Sequence, residues 1–379
     1  MNPNLSSEEI TRYSRHILIP EVGFEGQQKL KTASVLLVGA GGLGSPVAMY
    51  LAGAGVGRIG IVDADVVDVS HLQRQVIHEM GSIGELKVES ARQRMLDINP
   101  HIQVDIYPEA FTSSNAMRIA ADYTIVVDCT DNFPARYLIS DLCVLQKKLF
   151  VYGAIFRFEG QVSVFDANQG PCYRCLFPDP PSPELVPSCA QTGVFGVLPG
   201  TIGALQASEV VKLILGVGRP LIGKLLIYNA LDPSFDIVKL RKDPHCKACG
   251  EQPEITHLID YDQFCGLPGA AAANAPAITP REVAEALRLG RPIRLIDVRN
   301  EREGLIASIK EAEHIPLDQL EARLSELNQD DEIIVFCRVE PRATMAQQIL
   351  LRRGYRNVKR MSGGIKAWAK EIDPTIPLY

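Results

Sequence analysis

The first residues able to do chemistry are the glycines of GAGGLG, Gly39, Gly41, Gly42 and Gly44, which fit the spacing G-x-G-x-x-G. Lacking side chains, they let backbone amides approach phosphate oxygens at the start of the next helix, whose positive end adds attraction. Asp63 follows about twenty positions later, where an acidic side chain would hold a ribose hydroxyl. Dehydrogenases, flavoproteins and adenylating enzymes share this fingerprint, so alone it leaves the nucleotide open. Arg74 and Gln75 in LQRQ, Lys87 in ELKVESA, and Asp128, Asp131 and Asn132 in DCTDN come next. Two cations and an acidic residue beside a phosphate cradle suit a triphosphate with Mg2+ better than a dinucleotide.

The cysteines divide by context. Cys172-Tyr-Arg-Cys175 and Cys246-Lys-Ala-Cys249 make two CxxC pairs. Four thiolates suit a tetrahedral Zn2+ with no open position, hence a structural one; the alternative is unligated thiols or a redox pair. Cys129 and Cys143 lie in apolar strand and helix contexts and read as core, and Cys265 has no assigned role. Cys337 stands after the strand-like DEIIVF and before a helical run, with Arg342 five residues on. A cysteine in such a loop faces convergent amides and a helix N-terminus, which lower a thiol pKa and stabilise a thiolate or persulfide.

These residues need elements to hold them. SVLLVG, RIGIVDAD, QVDIYPEA, YTIVVDCTD and KLFVYGAI read as buried parallel strands with helices between most of them. GQVSVFDANQGPCYRC and GKLLIYNALDPSFDIVKL alternate more and suggest antiparallel strands. Between them TIGALQASEVVKLILGVG has helical spacing and a stop at Gly216. The expected fold is α/β, a Rossmann-like doubly wound sheet with an antiparallel extension, plus a smaller α/β domain. The boundaries are 1–250 for the first domain, an Ala/Gly/Pro-rich linker over 251–277, and 278–379 for the second. In a doubly wound sheet the strand ends carrying the glycine loop and DCTDN converge on one crevice.

The totals exclude some classes. A chain of 379 residues with formal charge -6 is no nucleic-acid coat. No stretch of about eighteen apolar residues offers a membrane span. The N-terminus lacks a signal-peptide core, and nine cysteines with two CxxC pairs fit a cytoplasmic protein better than a disulfide framework.

GAGGLGS, LQRQ, KVESA, INPHI, DCTDN, GQVSVF and PCYRCLFP run in the order found in the HesA/MoeB/ThiF family, bacterial relatives of ubiquitin-activating enzymes, and the resemblance covers residues 10 to about 250. It implies that ATP adenylates the C-terminal glycine of a ubiquitin-like sulfur-carrier protein ending in Gly-Gly. Gly41 and Gly42 would line the phosphates and Asp63 the ribose. Arg74 and Lys87 would stabilise the transition state, and Asp131 would ligate Mg2+. Arg15 in RYSRH resembles the arginine that reaches a neighbouring protomer's triphosphate, implying a homodimer. The resemblance also implies a structural zinc on the two CxxC pairs and, at Cys189, a crossover-loop cysteine able to capture the activated carrier. His71 replaces the family's Asn; it can donate one hydrogen bond and is open to protonation near neutral pH.

Residues 278–379, with LIDVRN (Asp297, Arg299), Cys337-Arg-Val-Glu-Pro-Arg342 and MSGGIKAW, resemble a rhodanese domain. That implies a persulfide on Cys337 in a loop steadied by Arg342, with a cysteine desulfurase as a possible donor. Glu340 stands where such loops often have Gly, and KEAEHIPL replaces the usual Gly-His before IPGA. A carboxylate at position 340 would raise the cost of a nearby anion. The leading expectation is a two-headed enzyme that adenylates the carrier and delivers sulfur from Cys337 to make a thiocarboxylate. One alternative is an adenylating enzyme with a catalytically inactive rhodanese docking domain. A nicotinamide dehydrogenase would leave Arg74, Lys87, the CxxC pairs and the second domain unexplained.

Overall fold

SVLLV forms β1 (Ser34–Val38), whose last four residues are all buried, as expected of a strand covered on both faces. β2 (Arg58–Val62), β3 (Gln103–Tyr107), β4 (Ile125–Asp128) and β5 (Leu149–Phe156) join it in parallel, in the order β3-β2-β1-β4-β5. β6 (Glu159–Phe165), β7 (Lys224–Asn229) and β8 (Ser234–Lys239) extend the same sheet with antiparallel pairing. This computed structural model describes residues 4–181, 193–266 and 276–378. Its eight-stranded sheet bears out the doubly wound α/β expectation, antiparallel extension included.

Alternate residues of β1 feed opposite faces. Val35 and Leu37 pack with Val47, Leu51, Ile59 and Ile61 in one core. Leu36 and Val38 pack with Val126, Leu142 and Phe150 in the other. Register places Val38 beside both Val62 and Asp128, so the chain leaves β1, β2 and β4 along one edge of the sheet. Between β1 and β4 the strand order reverses, the point where open α/β sheets hold ligands. The helix Leu198–Leu215 stops at Gly216, whose φ of 73° suits a residue without a Cβ.

Among the described residues the chain divides into two units, one through Cys265 and one from Gly266. Residues 251–266, read as the start of the linker, carry Tyr261 and Cys265 into the aromatic core of the first unit. The small-residue stretch 267–275 lies outside the described residues.

The second unit has five parallel strands in the order β11-β10-β12-β13-β9. They are β9 (Ala277–Ile278), β10 (Ile293–Asp297), β11 (Glu313–His314), β12 (Glu332–Phe336) and β13 (Val358–Met361). β12 is central, and Cys337 leaves its C-terminal end. No helix among the described residues is long and apolar enough to cross a membrane.

Candidate functional site

The glycine loop after β1 is held peptide by peptide. The Gly39 amide donates to the Val62 carbonyl at 2.8 Å. The Ala40 amide donates to Asp63 Oδ2 at 2.8 Å, and the Ala40 carbonyl lies 2.9 Å from His78 Nε2. The Gly41 carbonyl accepts from the Ser45 amide at 2.9 Å in the first turn of the helix Gly44–Ala54. The amides of Gly41 and Gly42 have no acceptor among the described residues, which leaves them for an anion. Gly39 has φ of 104°, and a Cβ there would stand 2.7 Å from the Cys129 carbonyl oxygen. A Cβ on Gly44 would stand 2.3 Å from the Gly39 oxygen. The loop therefore closes against the end of β4 only because these two positions are glycine.

The predicted partners gather here. Gln75 is buried with Nε2 3.5 Å from where a Gly41 Cβ would lie, and the Arg74 stem is 3.8 Å from the same position on Gly42. The Arg74 guanidinium donates to the Ser70 carbonyl at 3.1 Å. Lys87 is the first residue of the helix Lys87–Ile98 and is 4% exposed. Its ammonium sits 2.9 Å from Asp65 Oδ2, which offsets the repulsion a cation meets at a helix N-terminus. Asp63 uses its second oxygen to accept from the Asp65 amide at 2.8 Å, so both carboxylate oxygens brace the loop.

His71, in place of the family's Asn, is held by its own turn. Its Nδ1 accepts from the Asp68 amide at 3.2 Å, and burial, reinforced by the Lys87 and Arg74 charges, pushes its pKa down to about 4. It is therefore neutral near pH 7, which decides between the two protonation states the sequence left open. With Nδ1 accepting, the proton is on Nε2, which keeps one donor.

At the end of β4, Asp128 is wholly buried. Oδ1 accepts from the Thr130 amide at 2.9 Å and its hydroxyl at 2.6 Å; Oδ2 lies 3.5 Å from Arg136 Nε. Burial pushes its pKa up to about 6, with the Arg136 charge pulling the other way. The turn it braces carries Asp131, exposed at the crevice, and Asn132, whose Oδ1 caps the helix Phe133–Leu145 through the Ala135 amide. An exposed carboxylate at this point suits a hard cation such as Mg2+. Asp128 stood in the sequence without an assigned role, as did Asp65 within DADVVDVS, and His78 lies in no motif that would have pointed to it. Arg15 lies exposed on the helix Ser7–Ile17. Cys189 lies outside the described residues.

The four cysteines of the CxxC pairs meet although about seventy residues separate them. Sγ–Sγ distances are 3.9 Å for Cys172–Cys175, 3.5 Å for Cys172–Cys246 and 3.4 Å for Cys175–Cys249. All four sulfurs lie within 4.8 Å of one another. A tetrahedron with Zn–S of about 2.3 Å has edges of about 3.8 Å, so the donor set fits zinc. Arg174, inside the first CxxC, forms a buried fork on Asp141 at 2.7 and 2.9 Å, and the Tyr261 hydroxyl donates to the same carboxylate at 2.7 Å.

In the second unit Cys337 is 1% exposed. Amides of Val339, Arg342 and Ala343 face its sulfur, yet burial outweighs them and pushes the thiol above its ordinary pKa. This corrects the expectation of a lowered pKa: the cradle is present, but the sulfur in it is desolvated. Arg342 forks onto buried Glu303 at 2.6 and 2.7 Å, fixing the loop to the helix Glu301–Ile306. Glu340 turns aside, accepting from the Gly363 amide at 3.2 Å with Arg360 Nε 3.7 Å away. The carboxylate expected to oppose an anion is thus engaged elsewhere. His314 of KEAEHIPL donates from Nε2 to the Arg299 carbonyl at 2.8 Å. Arg299 itself is fully buried on Asp297.

Comparisons with known proteins agree with this layout. Residues 13–248 match the ThiF family and residues 279–371 the rhodanese-like domain. The probable adenylyltransferase/sulfurtransferase MoeZ of Mycobacterium tuberculosis is 45% identical over 384 residues, covering 99% of this chain and 96% of the relative. The sulfur carrier protein adenylyltransferase of Thermus thermophilus is 51% identical over 267 residues, 69% of this chain and 98% of that protein. Among solved structures, E. coli MccB superposes with a TM-score of 0.58 at 23% identity, over 66% of this chain and 75% of its own, a likeness of fold. The chain belongs to the ThiF family and carries a rhodanese-like domain after its ThiF region.

Proposed function

We propose that this protein is a sulfur-carrier adenylyltransferase with sulfurtransferase activity. It uses ATP to activate the C-terminal glycine of a ubiquitin-like carrier and then converts that terminus to a thiocarboxylate. The observation that carries the reading is the convergence, at the β1/β4 switch point, of two unclaimed glycine-loop amides, the buried ammonium of Lys87 and the turn bearing Asp131. Full-length likeness to proteins named adenylyltransferase/sulfurtransferase supports it.

Gly41 and Gly42 bind phosphate oxygens, with Gly39 and Gly44 shaping the loop. Asp63 orients Ala40 and lies at the ribose position. Arg74 and Lys87 balance charge that accumulates as a carrier carboxylate oxygen attacks the α-phosphorus and pyrophosphate departs. Gln75 and Asn132 border the same crevice. Bound Mg2+ neutralises phosphate charge, and Asp131 would hold it. Arg15 of a second protomer completes the site in a homodimer. Zn2+ on Cys172, Cys175, Cys246 and Cys249 is structural, and reduced thiols suit a cytoplasmic setting.

The second half is group transfer. The terminal sulfur of a persulfide on Cys337, loaded by a cysteine desulfurase or similar donor, attacks the acyl carbon and expels AMP. A further thiol, as its thiolate, then attacks Cys337 Sγ of the resulting acyl disulfide, breaking its S–S bond to free the thiocarboxylate and leaving Cys337 in a disulfide with that thiol. Arg342 holds the loop. Cys189 is a second candidate for covalent capture.

ATP–pyrophosphate exchange with Gly-Gly-ended carriers, followed by mass analysis for a thiocarboxylate, tests the reading; exchange that no such carrier stimulates overturns it. The burial of Cys337 favours one alternative, a docking-only rhodanese unit. Cys337→Ser separates the two. Loss of product with a protein persulfide donor but not with bisulfide supports transfer, and retention with both supports docking.

A further inference from the structure

Of the four peptide groups described in the glycine loop, three are held by Val62 at the end of β2, by Asp63 just beyond it and by Ser45 in the loop's own helix. The fourth, the Ala40 carbonyl, is held by His78, which follows the loop by 38 residues and belongs to no motif named above. We propose that His78 is a positioning residue for ATP: its imidazole fixes the Ala40 peptide so that the next two amides, of Gly41 and Gly42, are presented to the phosphates. The inference rests on the reading of this loop as an ATP site.

The chemistry follows from proton placement. A carbonyl only accepts, so the proton is on Nε2, 2.9 Å from the Ala40 oxygen. Nδ1 is then an acceptor for the Ser90 hydroxyl at 2.9 Å. Burial, as the largest influence, keeps the ring below its ordinary pKa, consistent with this neutral tautomer. Ser90 belongs to the helix that Lys87 begins. One imidazole therefore ties the phosphate loop to the helix of the candidate phosphate-binding lysine. With its one proton directed at Nδ1, Ser90 Oγ rests in contact with Ser82 Oγ at 3.1 Å, while the Ser82 hydroxyl donates to the Glu79 carbonyl at 2.9 Å. His78 is 6% exposed. Its effect passes through Ala40, whose other side Asp63 holds.

The test is steady-state ATP–pyrophosphate exchange by the full-length, zinc-loaded protein with a Gly-Gly carrier. His78→Leu removes the donor and should raise KM for ATP about tenfold, with kcat and the carrier KM within about twofold of wild type. His78→Gln, whose amide nitrogen can take the place of Nε2, should restore KM to within about threefold. Ser90→Ala, which loosens the ring without removing it, should give a smaller rise in the same direction. A folded His78→Leu protein with wild-type ATP KM overturns the proposal. So does a defect confined to kcat, or equal loss in the Leu and Gln variants. If His78→Leu fails to fold, unchanged ATP KM in Ser90→Ala overturns it instead. Absence of exchange in the wild type would overturn the ATP reading, and this inference with it; wild-type exchange with unaffected variants overturns this inference alone.

Discussion

A lysine buried at the first position of a helix is a poor choice for stability, because the helix dipole repels it and water cannot shield it. Lys87 accepts that position with Asp65 as its counter-ion, and Asp65 is largely exposed. Replacing Lys87 with Met should therefore leave the melting temperature unchanged or higher while lowering pyrophosphate exchange by about 100-fold. Calorimetry and exchange on the same preparation check both halves. His71 makes a pH prediction. Its folded pKa of about 4 lies below the ordinary imidazole value, so the unfolded chain binds the extra proton first as pH falls. Its contribution to stability is present above about pH 6.5 and is lost between there and about pH 4. His71→Asn should flatten that part of the stability profile, measured as urea midpoints at successive pH values.

Among the elements, the first CxxC does more than offer two sulfurs. Arg174 between its cysteines binds Asp141 of the helix Phe133–Leu145, and Tyr261, from the segment after the second CxxC, closes on the same carboxylate. Three elements distant in sequence thus share one buried charge. Arg174→Met would leave Asp141 buried without its cation and should destabilise the first unit by about 3–5 kcal/mol, read from urea unfolding. Zinc content should stay at wild-type level, since no sulfur is removed. Loss of the metal as well would mean that the arginine holds the cysteines in place.

At the scale of the whole molecule, two chemistries share one chain, and the proposed reaction needs the activated tail to meet the persulfide before water does. A cleavage site placed within 267–275 of the full chain and cut after folding should leave pyrophosphate exchange intact. Thiocarboxylate formation should become dependent on protein concentration, because covalent linkage sets the effective concentration of the second unit near the first. Single-turnover assays at several protein concentrations check this, and a rate that stays concentration-independent after cutting refutes it.

The alternation of strands and helices, the switch-point fold, the glycine fingerprint and the paired cysteines were all legible in the sequence. Each is written in short-range spacing, and spacing of 2, 3.6 or three residues follows from backbone geometry. Partners and protonation were not legible, because they depend on groups brought together from afar. His78 reaches Ala40 across 38 residues and Tyr261 reaches Asp141 across 120. The segment 251–266, polar and proline-bearing to the eye, docks because Tyr261 meets a buried carboxylate that no local pattern announces. The loop around Cys337 was legible as a cradle of amides, yet its burial, which raises the thiol pKa, came only with the packed unit. Sequence alone determined which residues could do chemistry; tertiary structure decided which are dry, which are charged and which hold the others in place, since desolvation and pairing are properties of the folded neighbourhood.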